Sequence, residues 1–270
     1  MDFLTLKTSK YTLDNGIRVI SIPMAGRRSV TMGVWILTGS ADEPEELMGI
    51  SHFIEHIVFK GTENYSAHDI VAEIERRGGN IDAYTAKEET CYHSVVLYED
   101  IDIALKILGE LVCHPQINEH DVELERQVIL SEMNESWDDP GSLAQDIFPM
   151  LLFGNSSLGN PIFGSFKTVN RITREQIISF RKENYSADRI IVGASGMVDG
   201  EALAEKVQRY FDIPPSHSKT GENKFYNDFD GKITIIPHPA QQVHFFLGVR
   251  TFPYRDELRY PLAILDIILG

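Results

Sequence analysis

Residues 49–62 read Gly-Ile-Ser-His-Phe-Ile-Glu-His-Ile-Val-Phe-Lys-Gly-Thr, and they bring two histidines and a glutamate close together in the chain. His52, Glu55 and His56 form the pattern H-x-x-E-H in a segment whose sequence predicts a helix. Positions i and i+4 of a helix project from the same face, one turn apart, so both imidazoles can reach one metal ion. Glu55 lies on the edge of that face.

The same three side chains also fit a solvated helix face or hydrogen-bonded polar groups in a core. Their neighbours are apolar on nearly every other side of the helix: Ile50, Phe53, Ile54, Ile57, Val58 and Phe59. A helix this apolar is largely buried, and ionisable groups inside it need partners. The pattern therefore favours a metal site over a structural role, and a zinc-dependent hydrolase is the first hypothesis.

A catalytic zinc site usually has three protein ligands and leaves one position for water, so a further ligand must come from elsewhere. Residues 118–133 predict a second helix that carries a candidate. One stripe of this helix, at i, i+3, i+4 and i+7, contains Glu125, Val128, Ile129 and Glu132. From the residues alone two interpretations stay open. Either Glu132 is a ligand with Glu125 behind it, or the stripe is an acidic helix surface.

The chain resembles the pitrilysin and mitochondrial processing peptidase family of zinc metallopeptidases, the inverzincins, in which H-x-x-E-H is the first motif. In that family a glutamate about 76 residues after the second histidine is the third zinc ligand, and Glu132 stands 76 residues after His56. The resemblance implies that His52, His56 and Glu132 bind one Zn²⁺ per chain and that Glu55 is the general base. It also maps the family's additional glutamate, seven residues earlier, onto Glu125.

A third block, residues 78–92, resembles the family's Gly-Gly-x-x-Asn-Ala-x-Thr-x-x-Glu-x-Thr-x-Tyr. In the family this block is an edge strand that pairs with the substrate backbone beside the zinc. The resemblance implies substrate contacts by Asp82, Ala83, Tyr84 and Thr85. Asp82 stands where the family has asparagine, and an aspartate cannot donate the side-chain amide hydrogen bond. We therefore expect substrate orientation, or the preference near the cleaved bond, to differ in this chain.

These motifs lead us to expect a zinc endopeptidase that hydrolyses peptides or unfolded segments. Zinc would activate a water molecule and polarise the carbonyl, and Glu55 would accept the proton of that water and pass it to the leaving amine. The alternative is a non-catalytic structural or substrate-presenting subunit of a processing-peptidase-like complex, which this family also contains. Such subunits typically lose motif residues, whereas here all four are present.

Composition narrows the partners and the compartment. The formal net charge of −15 argues against nucleic acid or an anionic membrane as a partner. No apolar run approaches the ~20 residues of a membrane span, and the first residues lack the apolar core of a signal peptide. Cys91 and Cys113 are too few for a disulfide framework. We therefore expect a cytoplasmic protein.

The order of predicted elements indicates an α+β layered domain, with a mixed or antiparallel sheet covered by helices. We assign residues 1–213 to this zinc-binding domain and 214–231 to a polar linker. Residues 232–270 repeat the strand, acidic turn and helix order, with strands predicted at 232–236 and 243–250. This segment is therefore expected to begin a second, duplicated α+β domain. We expect a homodimer, or another polypeptide, to supply the remaining domains.

Overall fold

The computed structural model describes residues 7–154, 156–215 and 233–269. Its strands are β1 (Ser9–Thr12), β2 (Arg18–Pro23), β3 (Ser29–Ile36), β4 (Asn80–Thr85), β5 (Thr90–Leu97) and β6 (Ile190–Gly196). Its helices are α1 (Ile50–Val58), α2 (Ala67–Glu75), α3 (Ile101–Cys113), α4 (Glu119–Asp138), α5 (Pro140–Phe153), α6 (Phe166–Val169), α7 (Arg174–Asn184), α8 (Gly200–Tyr210) and α9 (Arg259–Leu269).

The strands form one sheet in the order β1-β2-β6-β3-β5-β4. β2 and β6 are parallel, with Arg18 opposite Ile191, and the other neighbours are antiparallel. The turn at residues 14–16 joins β1 to β2. Gly16 has a φ of +102°, a conformation that is unfavourable for residues with a Cβ atom. A mixed sheet with helices confirms the predicted α+β class.

Helices cover one face of this sheet. Burial alternates along β6, where Ile190, Val192 and Ala194 are buried and the residues between them are half-buried. Side chains of a strand point alternately to the two faces, so this alternation identifies the covered face. The helices α1, α3 and α8 contact the sheet, and each fully buried aliphatic side chain stabilises the fold by about 1.5–3 kcal/mol.

β4 lies at one edge of the sheet and, among the described strands, pairs with β5 alone. In the loop that joins them, the Ala86 N–H donates to the Glu89 carbonyl at 2.7 Å. Residue pairs of an antiparallel ladder alternate between hydrogen-bonded and non-hydrogen-bonded, so this bond sets the phase along β4. The backbone N–H groups of Ala83 and Thr85 therefore face the open edge. The sequence prediction of an edge strand over this block is confirmed.

Residues 233–258 contain no strand, so the prediction of strands is wrong for the described parts of 232–236 and 243–250. A strand needs a partner for its backbone groups, and the described strands do not pair with this stretch. Its alternating apolar side chains are exposed: Val243, Phe245, Leu247 and Val249. The predicted helix near the end of the chain is present as α9. The predicted linker lies almost entirely outside the described residues.

In the described part of the chain, the helices are either too short or too polar to traverse a lipid bilayer.

Candidate metal centre

A buried carboxylate and a glycine fix the start of α1, which carries the two histidines. Glu43 accepts hydrogen bonds from the N–H of Gly49 at 2.7 Å and from the N–H of Ser51 at 2.8 Å. These N–H groups have no partner within the helix, so Glu43 satisfies them. Burial raises the pKa of Glu43 to about 8, although both backbone hydrogen bonds lower it. Gly49 has a φ of +95°, and a Cβ there would lie 2.5 Å from the Phe163 carbonyl oxygen.

Three possible metal donors converge between α1 and α4. The Nε2 atoms of His52 and His56 lie 3.3 Å apart, and His56 Nε2 lies 3.4 Å from Glu132 Oε2. One donor atom from each residue lies within 4.8 Å of the others, and no second group of this kind occurs among the residues described. The structure thus brings together the three residues that the sequence proposed as ligands.

The surroundings of His52 suit a metal ligand. Burial, and then the charge of His56, lower the pKa of His52 to about 3, so its imidazole is neutral, the form that binds metal. Its buried Nδ1 has no hydrogen-bond partner within the described part of the chain. The Phe163 ring packs edge-on against it with centroids 4.8 Å apart. Two imidazoles and one carboxylate are a common donor set for catalytic zinc, so the residues fit this metal.

Glu125 holds the far side of the His56 ring. Its Oε2 lies 3.2 Å from His56 Nδ1, and its Oε1 lies 2.6 Å from Lys60 Nζ. Burial by itself would lower the pKa of His56, but the bond to Glu125 and the nearby carboxylates raise it on balance. Burial by itself would raise the pKa of Glu125, but the contacts with His56 and Lys60 bring that pKa below its usual range.

The stripe predicted on α4 is only partly correct. Glu125 and Ile129 are buried and Glu132 is half-buried, but Val128 is 41% exposed. Arg126 is buried instead of Val128. The side of α4 that packs against α6 is therefore not the side that the predicted stripe occupies. The two glutamates still face α1, which is what the candidate site requires.

Glu55 lies beside the three donors without being one of them. Its Oε2 accepts a hydrogen bond from Thr85 Oγ1 at 2.5 Å, which ties α1 to the edge strand. Burial raises the pKa of Glu55, while the bond from Thr85 and the charge of His56 partly offset the increase. A carboxylate whose pKa is raised toward neutrality is suited to accept and return a proton.

The four residues proposed to contact substrate lie on both faces of β4. Thr85 points toward Glu55, and Asp82 Oδ1 accepts a hydrogen bond from the Ala83 N–H at 2.8 Å. Tyr84 points to the opposite face, where its hydroxyl donates to Glu89 at 3.0 Å. Side chains alternate along β4, so Ala83 shares the face of Thr85 and Asp82 shares the face of Tyr84. The Asp82 carboxylate still lies close enough to Glu55 for its charge to raise the pKa of Glu55.

Sequence reasoning missed two residues of the site, Lys60 and Glu43. Lys60 follows His56 by four residues, the same interval that separates the two histidines, so helical spacing alone could have indicated it. Glu43 lies in the acidic turn before α1, where three glutamates compete for the same role. Only its burial, at 6% exposure, distinguishes it from its exposed neighbours.

Comparison with known proteins gives two matches to family models. The model described as insulinase (peptidase family M16) matches residues 18–165, and the model described as peptidase M16 inactive domain matches residues 171–270. The two matches adjoin at α6, well before the predicted linker. The domain bounds that we proposed from the sequence stay a prediction.

Individual proteins align over nearly the whole chain. An uncharacterized zinc protease of Streptomyces coelicolor is 34% identical over 268 residues, covering 96% of this chain and 58% of its own length. The mitochondrial-processing peptidase subunit beta of Dictyostelium discoideum is 32% identical, covering 98% of this chain and 57% of its own. The chain thus spans somewhat more than half the length of these relatives.

A solved structure shares the fold. The first half of the periplasmic protease PqqL from Escherichia coli superposes with a TM-score of 0.74 over 82% of this chain and 49% of that one, at 22% identity. This likeness supports the architecture alone. The insulinase model, however, covers more than half of the chain, and relatives above 30% identity cover nearly all of it. The chain belongs to peptidase family M16, the pitrilysin and mitochondrial processing peptidase family.

Proposed function

We propose that this protein is a zinc-dependent endopeptidase that hydrolyses peptides or unfolded segments. The observation that carries the proposal is the convergence of His52, His56 and Glu132, with Glu55 between these donors and an open strand edge. Membership in a peptidase family, and relatives named as zinc proteases, support it. The presence of all four motif residues favours an enzyme over a non-catalytic structural or substrate-presenting subunit.

The proposed mechanism assigns one role to each group. His52, His56 and Glu132 would hold one zinc ion, which supplies a Lewis acid that acidifies water and polarises a carbonyl. Glu55 accepts the proton of the attacking water and donates it to the leaving amine. Thr85 holds the Glu55 carboxylate in place through its hydroxyl. Glu125 orients His56, and a neutral His52 needs no deprotonation before it binds metal.

A substrate backbone would pair with the open edge of β4. The outward N–H groups of Ala83 and Thr85 can donate to an added strand, a common form of peptide recognition, once a substrate carbonyl displaces the Asp82 carboxylate from the Ala83 N–H. The Thr85 side chain lies against Glu55, so a strand at this edge passes the proposed base. An open cleft beside Glu132, with Phe163 on its wall, gives room for a substrate peptide.

Asp82→Asn is expected to lower KM for neutral peptides by up to about fivefold. The Asp82 carboxylate accepts a hydrogen bond from the Ala83 N–H, and a substrate carbonyl at this edge would need the same donor. A neutral amide oxygen accepts more weakly than a carboxylate, and the difference of about 1 kcal/mol sets the size of the effect. KM for an uncharged quenched peptide measures it. Asp14→Asn, in the turn at the opposite end of the sheet, is the control, and an unchanged or higher KM in Asp82→Asn would contradict the assignment.

Hydrolysis of a quenched fluorescent peptide tests the proposed function itself. The purified protein is expected to cleave the peptide, to lose all activity after incubation with a strong chelator, and to regain it when zinc is added after the chelator is removed. Mass spectrometry of the products then locates the cleaved bond. Zinc binding without cleavage of any unfolded peptide would instead favour the non-catalytic subunit.

The partners and compartment of the whole protein are also proposals. The similarity to a relative named as a subunit supports a further polypeptide, either a second copy or another chain, that supplies the remaining domains. The second M16 match at residues 171–270 agrees with an added domain that lacks the metal site. A cytoplasmic location stays a prediction from the sequence.

A further inference from the structure

Lys60 lies one helical turn beyond His56, at the end of the face that carries both histidines. α1 ends at Val58, and the Lys60 N–H still donates to the Ile57 carbonyl at 3.1 Å, so the backbone continues to turn. His52, His56 and Lys60 are therefore successive positions on one face, four residues apart. The H-x-x-E-H motif ends at His56 and does not include Lys60.

The ammonium group of Lys60 binds one oxygen of a buried carboxylate whose other oxygen binds a proposed ligand. Lys60 Nζ lies 2.6 Å from Glu125 Oε1, and Glu125 Oε2 lies 3.2 Å from His56 Nδ1. The Glu125 side chain is only 5% exposed, whereas that of Lys60 is 37% exposed. Glu125 thus connects a cation near the surface to the inner face of the candidate site.

The buried carboxylate needs this cation. A buried charge with too few partners is costly, and a carboxylate held at one oxygen only is free to rotate. With Oε1 held by Lys60, Oε2 stays directed at Nδ1 of His56. A histidine whose Nδ1–H is held in this way presents the lone pair of its Nε2, the nitrogen that faces His52 and Glu132.

We propose that Lys60 is a positioning residue of the metal site, which fixes the ring orientation and tautomer of His56 through Glu125. The inference rests on the proposed role of His56 as a zinc ligand. It assigns to Lys60 a contribution to zinc affinity, although Lys60 does not itself supply a donor atom. The position of the lysine at the C-terminal end of α1 also suits the helix dipole.

The zinc dissociation constant, measured by competition with a chromophoric chelator, tests the inference on the purified protein. Lys60→Met is expected to weaken zinc binding by about 10- to 100-fold, the usual cost of losing a group that supports a metal ligand. Lys60→Arg is expected to stay within about threefold of the wild type, because its guanidinium still donates to Oε1. Lys182→Met removes an exposed lysine of α7 and is the matched control.

A double-variant comparison shows whether Lys60 acts through Glu125. In the Glu125→Gln background, which has no buried charge to hold, adding Lys60→Met is expected to change the zinc dissociation constant by less than about twofold. This pair also decides the question if Lys60→Met alone fails to fold, because the double variant leaves no unpaired carboxylate. A further large loss in the double variant would overturn the proposed pathway.

Thermal stability and KM distinguish a positioning role of Lys60 from a structural or a substrate-binding role. A purely structural role would lower the thermal stability of the metal-free protein and leave the zinc affinity of the folded fraction unchanged, which would overturn the inference. With saturating zinc, Lys60→Met is expected to keep the wild-type KM, since the lysine does not touch substrate. A wild type that binds no zinc would overturn the proposed function, and a wild type that binds zinc no better than Lys60→Met would overturn this inference alone.

Discussion

Glu55→Gln is expected to retain one zinc ion per chain and to lose about 10²- to 10⁴-fold in kcat. Glutamine has nearly the shape of glutamate and still accepts the hydrogen bond that Thr85 donates to Glu55 at 2.5 Å. It cannot accept a proton, so the attacking water loses its base. The three proposed ligands lie within 4.8 Å of one another without Glu55, so the metal site should persist.

The measurement for Glu55→Gln combines metal content with turnover. Zinc is quantified by atomic emission after dialysis, and kcat is measured with a quenched peptide at saturating substrate and zinc. Glu75→Gln, an exposed residue at the end of α2, makes the same chemical change away from the site and should match the wild type in both assays. Turnover within about tenfold of the wild type would exclude Glu55 as the base.

Local signals in the sequence predict most of the regular structure. The Asp-Asn-Gly turn predicts the first hairpin, and the apolar segment around His52 predicts a buried helix, because each feature is determined by residues that are neighbours in the chain. β4 lies within residues 78–92, the block for which the family resemblance implies an edge strand. Of these elements, α1 and β4 carry residues of the candidate site.

Contacts between distant segments are harder to predict. Apolar residues alternate at 243–250 as they do in a strand, yet the structure has no strand there. The sequence pattern does not show whether a partner strand is available. Helical spacing places Glu132 and Glu125 on one helix, yet their approach to α1 could be expected only from the family resemblance. Lys60 and Glu43 act through carboxylate contacts that require tertiary structure, so the motif alone does not identify them.

Glu132→Gln is expected to weaken zinc binding by more than about 100-fold, a larger loss than removal of an outer supporting group. Glu132 is the donor that α4 contributes, and His56 Nε2 lies 3.4 Å from its Oε2. The variant replaces an anionic oxygen with a neutral amide oxygen, and the two imidazoles from α1 are left as the strong ligands. Zinc content after dialysis should fall well below one per chain.

The response to added zinc distinguishes the loss of a ligand from the loss of the base. In Glu132→Gln, millimolar zinc is expected to restore part of the hydrolysis, because occupancy is limiting and Glu55 is intact. In Glu55→Gln the same addition should restore none, because the site is already occupied. Glu135→Gln, an exposed residue of the same helix that borders the same cleft, should keep wild-type zinc affinity. Unchanged zinc affinity in Glu132→Gln would remove this residue from the ligand set, and with it the proposed third donor.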